Sequence, residues 1–152
     1  MNAPTITQMA KVLIFPYNSL ILYDLVKRGG HEPLSVMREV AKRANDGLSS
    51  PPYNVTYDDV KAGLEYCAVD VPAGVRGRLA YLAPLIEEAQ AAIFIRDPEY
   101  AFGSSGCARA NEMVWHLVVK KGIPVLSVKY PKNYEEAREF VSKINSFLKS
   151  LG

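Results

Sequence analysis

The residues best placed to do chemistry follow short apolar runs. Gly103-Ser104-Ser105-Gly106 is a turn of small residues that opens a helical pattern. Its glycines permit tight backbone geometry and its serines add hydroxyls. The first N–H groups of the helix, with the helix dipole, favour an anion such as a phosphate or a carboxylate. No Walker lysine and no G-x-G-x-x-G accompany the turn, and small residues before a helix are also ordinary capping chemistry. Asp97 ends an apolar run and precedes Pro98. Its carboxylate can hold a sugar hydroxyl or act as a base, and Asp-Pro equally begins many turns. Glu112 follows Gly106 by six residues. That is roughly two helical turns, so its side chain need not face the turn. It reads either as a nucleophile or as a satisfied surface glutamate on an apolar helix. Tyr17, Asn18 and Ser19 follow the first apolar run, and with Ser104, Ser105 and Gly106 they complete the candidate ligand-binding set.

The other reactive side chains are sparse. Cys67, Cys107, His31 and His116 are the cysteines and histidines of the chain. Their spacing matches no zinc pattern, so neither a metal nor a cofactor is expected. Two cysteines are too few for a disulfide scaffold, which points to free thiols in a reducing cytoplasm. Cys107 has no C-x-x-C neighbour to support redox work. His31, after Gly29-Gly30, is either a loop acid or base or a capping residue. His116 lies mid-helix beside Trp115, with a core or surface role, and spacing picks out no Ser-His-Asp arrangement.

These residues need elements to position them. Lys11 to Pro16 (KVLIFP) reads as a buried strand closed by proline. Asn18 or Ser19 then caps a helix that Gly29-Gly30 stops. Pro33 suits the first turn of a second helix, with Leu34, Met37, Val40, Ala41 and Ala44 at helical spacing. Residues 46–54 (DGLSSPPYN) form a loop. Thr56 and Asp59 make a capping box for a helix from Tyr57 to Cys67. A longer helix runs from Ala73 to Gln90, which Pro84 should kink or split. Ala91 to Asp97 is a second buried strand, Gly106 to Lys121 a helix apolar on most sides, and Ile123 to Lys129 a third strand. Asn133 caps a last helix with Ala137, Phe140, Val141, Ile144, Phe147 and Leu148 along one stripe. A fourth strand is sought near 53–56 or 68–71.

Continuous apolar strands between helices imply a parallel sheet covered on both faces. The expected fold is a three-layer α/β/α domain with a small parallel sheet. In such sheets ligands bind outside the carboxyl ends of the strands, here 16–19, 97–106 and 129–131. The chain has 152 residues, 49% of them hydrophobic and 22% charged, with a net charge of +2. That fits one globular domain over 9–152, with residues 1–8 a flexible extension before Met9. No apolar run approaches the roughly 20 residues of a membrane helix, so no membrane is expected, and the near-neutral charge gives no reason to expect nucleic acid. The apolar helix and nine tyrosines leave surface for a protein partner or a homo-oligomer.

Two family resemblances arise from these residues. Over 75–131, the segment Ile86-Glu87-Glu88-Ala89, the strand Ala92-Ile93-Phe94-Ile95, the Ser-Gly turn, a carboxylate-bearing helix and Lys121-Gly122-Ile123-Pro124-Val125 resemble the nucleoside 2-deoxyribosyltransferase group. That resemblance implies a flavodoxin-like or nucleoside 2-deoxyribosyltransferase-like fold. It also implies cleavage of the N-glycosidic bond of a nucleoside or nucleotide, with Asp97 on the sugar hydroxyls, the 104–106 turn on phosphate and Glu112 as nucleophile. In that group the glutamate follows the glycine by about one turn, whereas Ala110 stands there in this chain and Glu112 comes two residues later. From Met9 onward, Met9-Ala10-Lys11-Val12-Leu13-Ile14-Phe15-Pro16, Asn18-Ser19-Leu20-Ile21-Leu22 and Gly30-His31-Glu32-Pro33-Leu34 resemble the archaeal methanogenesis marker protein five family. This second resemblance implies a cytoplasmic accessory or ligand-binding protein. Its partners would belong to a methanogenesis-related assembly that matures or activates methyl-coenzyme M reductase. The ligand expected from the turn and from the first resemblance is a small anion or nucleotide.

Overall fold

The computed structural model describes residues 8–43, 55–97 and 105–152. The predicted extension (but for Gln8), the 46–54 loop and the 98–104 segment with Ser104 lie outside the described residues. In chain order the elements are β1 (Lys11–Phe15), α1 (Leu20–Arg28), β2 (Glu32–Leu34), α2 (Val36–Lys42), α3 (Tyr57–Ala62), α4 (Ala73–Glu88), β3 (Ala91–Ile95), α5 (Ser105–Lys121), β4 (Val125–Val128) and α6 (Tyr134–Lys149). The chain is an α/β fold with a four-stranded parallel sheet flanked by helices. It divides into two compact units. One holds Met1–Leu34, Ala89–Asp97 and Ile123–Gly152, and the other holds Ser35–Glu88 and Pro98–Gly122.

The first is a sheet unit with strand order β2-β1-β3-β4. Successive strand residues point to opposite faces. Val12, Ile14, Ile93, Ile95 and Val128 therefore share one face, where they pack with Leu22 and Val26 of α1 and Phe140, Ile144 and Leu148 of α6. Leu13, Ala92 and Phe94 on the other face are also buried, as the unbroken apolar runs require. Helix α1 starts at Ser19, whose Oγ accepts the Leu22 N–H, and ends at Gly29 with Gly30 at φ +82°. Asn133 caps α6, accepting the Glu136 N–H at 2.9 Å.

The fourth strand is β2, which corrects the predicted location at 68–71 and the reading of Pro33 as a helix start; of the location at 53–56, residues 53–54 lie outside the described residues. Val55 is only an isolated bridge residue, and 68–71 is a turn. Glu32 donates its N–H to Ala10 O, so the alternating parallel pattern turns the missing N–H of Pro33 to the outer edge, where a sheet tolerates proline. Ser35 then caps α2 through the Met37 N–H. Local spacing could not show this, because three residues (EPL) carry too little strand pattern of their own.

The helical unit depends on close approach. A Cβ on Gly77 would meet Val55 Cγ1 at 2.1 Å, and one on Gly63 would meet Arg76 O at 2.1 Å. The predicted Tyr57–Cys67 helix ends early: α3 stops at Ala62 and a single 3₁₀ turn, Gly63–Glu65, follows. Helix α4 is continuous through Pro84, which lies on its exposed side, where water can serve the freed carbonyl. Lys121 Nζ donates to Ile86 O at 2.8 Å and also to Glu87 O, satisfying carbonyls at the end of α4. Helix α5 is not buried on most sides. Only Gly106, Ala110, Val114 and Val118 are buried, a single stripe four residues apart, while Val119 is exposed.

Candidate functional site

The register of the sheet unit assembles one edge. Phe15 lies opposite Phe94, and Ile95 opposite Val128. The segments that follow these strands, 16–19, 96–97 and 129–131, therefore leave the same carboxyl edge. From β1 the chain crosses to β2 on one side, and from β3 to β4 on the other. Between β1 and β3 the connections diverge, which is where open α/β sheets form a ligand crevice.

Several residues at this edge are held by identifiable interactions. The Phe15–Pro16 peptide is cis. Ser19 donates its N–H to Pro16 O at 3.0 Å, closing the turn that carries Tyr17 and Asn18. Ser19 Oγ accepts the Leu22 N–H at 3.3 Å as the cap of α1, which leaves its hydroxyl hydrogen able to donate. Tyr17 is 8% exposed, with its ring edge-on to Phe15 at 5.7 Å, and Phe15 stacks on Phe94 at 5.1 Å. An aromatic group thus lies beneath the switch point. Asn18 is exposed above it. Beyond β3, Arg96 donates its N–H to Val128 O at 2.9 Å, extending the ladder by one residue. That bond fixes the backbone from which the exposed Arg96 side chain and the half-buried Asp97 project. Because Ile95 pairs with Val128, Arg96 and Lys129 emerge from adjacent strand ends, and Lys129 is also exposed.

Such an edge suits a small anion with polar substituents. Arg96 offers a planar fork and Lys129 a point charge. The Asn18 amide and Ser19 hydroxyl can donate hydrogen bonds, and the Asp97 carboxylate can accept them from hydroxyls. Of the residues singled out in the sequence, Tyr17, Asn18, Ser19 and Asp97 stand here. Ser105, Gly106 and Glu112 belong to the helical unit, where Ser105 and Glu112 are exposed. A packing reason for glycine at position 106 lies within that unit, since a Cβ would come 3.2 Å from Pro72 Cδ and 3.3 Å from Val71 Cα. The sequence reading passed over Arg96 and placed Lys129 at the edge without giving it a role. A cation directly after each apolar run was the available signal.

His31 is buried, and of its two sequence readings it acts as a capping residue, at the last turn of α6. It is 3% exposed, its Nδ1 accepts the Ala10 N–H at 3.1 Å, and its Nε2 donates to Leu148 O at 2.9 Å. Among the described residues, no group of three or more His, Cys, Asp or Glu side chains is placed to hold a metal ion.

Comparison with known proteins places the chain. Residues 10–151 match the model of a family described as "Uncharacterized protein conserved in archaea (DUF2112)". The chain belongs to this family. It is similar to an uncharacterised protein of Methanocaldococcus jannaschii, with 54% identity over 144 residues that cover 94% of this chain and 96% of that one. No solved structure matches it significantly. Among the described residues, no helix of this archaeal family member is long and apolar enough to cross a membrane.

Proposed function

We propose that this archaeal protein is a cytoplasmic ligand-binding accessory protein of methanogenesis, and that a small anionic or nucleotide ligand seats at the β1/β3 edge. The observation that carries the reading is the meeting of Tyr17, Asn18 and Ser19 with Arg96, Asp97 and Lys129 at the strand-order reversal. Membership of a family conserved in archaea supports the setting. The resemblance of the segments beginning at Met9, Asn18 and Gly30 to methanogenesis marker protein five supports the link to methyl-coenzyme M reductase maturation or activation.

Two measurements test this. Calorimetric titration with inorganic phosphate, a nucleoside monophosphate and a nucleoside triphosphate should find one ligand that binds saturably and competes with salt. No heat and no thermal shift with any of them at millimolar concentration sinks the ligand half. Affinity purification from a methanogen should recover reductase-associated proteins, and recovery of this chain alone sinks the partner half. Release of free base from a deoxynucleoside, lost in Glu112→Ala, would instead establish N-glycoside chemistry.

A further inference from the structure

The two edges of the sheet are finished differently. β2 is three residues long, and Pro33 at its centre has no N–H to offer outward. On the other side, Ala92 donates its N–H to Pro124 O at 3.0 Å and Arg96 donates to Val128 O. Pro124, Leu126 and Val128 therefore direct their peptide groups to β3. The alternation of a parallel ladder turns the N–H and C=O groups of Val125, Ser127 and Lys129 outward. Among the described residues no strand pairs with that side of β4. Ser127, at its centre, is exposed. An unpaired strand edge of this kind is a template for another strand.

The open edge also has an apolar margin. Leu126 and Phe147 pack against the sheet-unit core but are only partly buried. Leu148 faces α1, since a Cβ on Gly29 would touch its Cδ1 at 2.7 Å. The preceding residue on α6, Phe147, is turned about 100° from it and so away from α1.

We propose that β4 pairs antiparallel with β4 of a second copy of this chain, about a two-fold axis through Ser127. Ser127 then faces the partner subunit's Ser127 and exchanges both backbone hydrogen bonds with it. Val125 faces the partner subunit's Lys129. The segment is self-complementary in this register. The small serine side chains meet at the axis, and each lysine lies opposite a valine, so like charges are not paired. Pro124 and Pro131 bracket the strand and confine pairing to it. A two-fold contact uses one patch on both copies, and Pro33 blocks growth from the other edge, so the product is a closed dimer. This inference is independent of the ligand at the β1/β3 edge.

Sedimentation velocity of the full chain across the micromolar range tests it. A dimer is expected. Ser127→Pro removes an N–H that this chain does not itself use and should weaken dimerisation at least tenfold, with an unchanged circular dichroism spectrum. Should that variant fail to fold, Ser127→Cys decides. Facing residues in such a pair lie about 5.5 Å apart between Cα atoms, within disulfide range. Mild oxidation should then give a covalent dimer that the wild type, with Cys67 and Cys107, does not give. A monomeric wild type, a dimer that survives in folded Ser127→Pro, a Ser127→Cys chain that cross-links no more than wild type, or an open-ended series of larger species overturns the proposal.

Discussion

The sheet unit and the helical unit are held together by different means. In the sheet unit apolar side chains do most of the packing, and a buried polar side chain, His31, serves as a neutral connector. The Ala10 N–H can only donate and the Leu148 carbonyl can only accept. The ring is therefore the tautomer with its hydrogen on Nε2, and it joins the start of β1 to the end of α6. In the helical unit backbones come into direct contact at glycines, and an ionised cluster ties helices together. Arg43 donates to Asp59 Oδ2 at 2.5 Å and to the Tyr81 hydroxyl at 2.9 Å, with its guanidinium 4.4 Å from the Tyr81 ring centroid. Thr56 donates its N–H and its hydroxyl to the same carboxylate oxygen at 2.7 Å. Side-chain packing can yield to a new atom, whereas packing against backbone cannot.

The sharpest way to break this comparison is to make the same change in both units. Gly63 and Gly29 both have ordinary negative φ, at −62° and −72°, so alanine is conformationally acceptable at either. A Cβ on Gly63 would meet Arg76 O at 2.1 Å, whereas one on Gly29 meets the far end of the Leu148 side chain at 2.7 Å. Gly63→Ala should cost about 3 kcal/mol and Gly29→Ala about 1 kcal/mol or less, because a leucine can shift its rotamer and a carbonyl in a helix cannot move alone. Chemical denaturation of the two variants checks the ranking. Equal losses would show that the units do not differ as described.

The neutral connector comes next. His31→Leu keeps bulk but leaves the buried Ala10 N–H without its partner and the Leu148 carbonyl with the Leu151 N–H alone. A loss of about 2 kcal/mol is expected, since each unmade buried hydrogen bond costs about 1–3 kcal/mol and the chain can partly relax. Hydrogen exchange should report it at β1 and the last turn of α6. Unchanged exchange there would mean that the connection is dispensable.

How much of this was legible in the sequence depended on how local the signal was. The box between Thr56 and Asp59 spans three residues and was readable; that Arg43 and Tyr81 complete it was not, because they join it from 16 and 22 residues away. Which helix end His31 caps was not legible for the same reason, its carbonyl partner lying 117 residues on. The three apolar strands stood out as β-branched runs, while β2, with proline at its centre, showed itself only through pairing with β1. Asp97 was singled out by type, but Arg96 and Lys129 gain meaning only from the register that makes them neighbours. Helix α5 read as apolar on most sides, yet a single stripe is buried, because composition counts apolar residues without saying which way they point.

The ionised cluster predicts an acid response. Burial pushes the Asp59 carboxyl up, but hydrogen bonds from Thr56 and Arg43, with the guanidinium charge, outweigh it and hold the group below the usual carboxylate range. The hydrogen bond with Asp59 raises Arg43, which stays charged. Burial, with Asp59 adjacent, raises the Tyr81 phenol. A carboxylate lowered on folding stabilises the fold above its unfolded value of about 3.9, and that contribution is lost as pH falls through the folded value. Asp59→Asn should therefore cost about 1.5 kcal/mol at pH 7. The gap to wild type should close as pH falls below about 4. Melting curves from neutral pH to pH 3 check this, and a gap that is constant with pH would remove Asp59 as the source.

The smallest effect on stability should accompany the clearest effect on binding. Arg96 is exposed, and its backbone bond to Val128 O survives truncation, so Arg96→Ala should change stability by less than about 1 kcal/mol. At the β1/β3 edge the same change removes the planar fork. Anion affinity should fall about tenfold, equivalent to about 1.4 kcal/mol. Lys129→Ala should weaken binding by less, since a flexible point charge at the neighbouring strand end makes no paired hydrogen bonds. Glu112→Ala should leave binding unchanged, because the proposed site is built from residues of the sheet unit. Titration of the three variants with the best-binding phosphate compound, at two salt concentrations, reads all of this. The effect of Arg96→Ala should shrink at the higher salt as the charge is screened. If Glu112→Ala loses as much affinity as Arg96→Ala, the site lies elsewhere than at the carboxyl edge of the sheet.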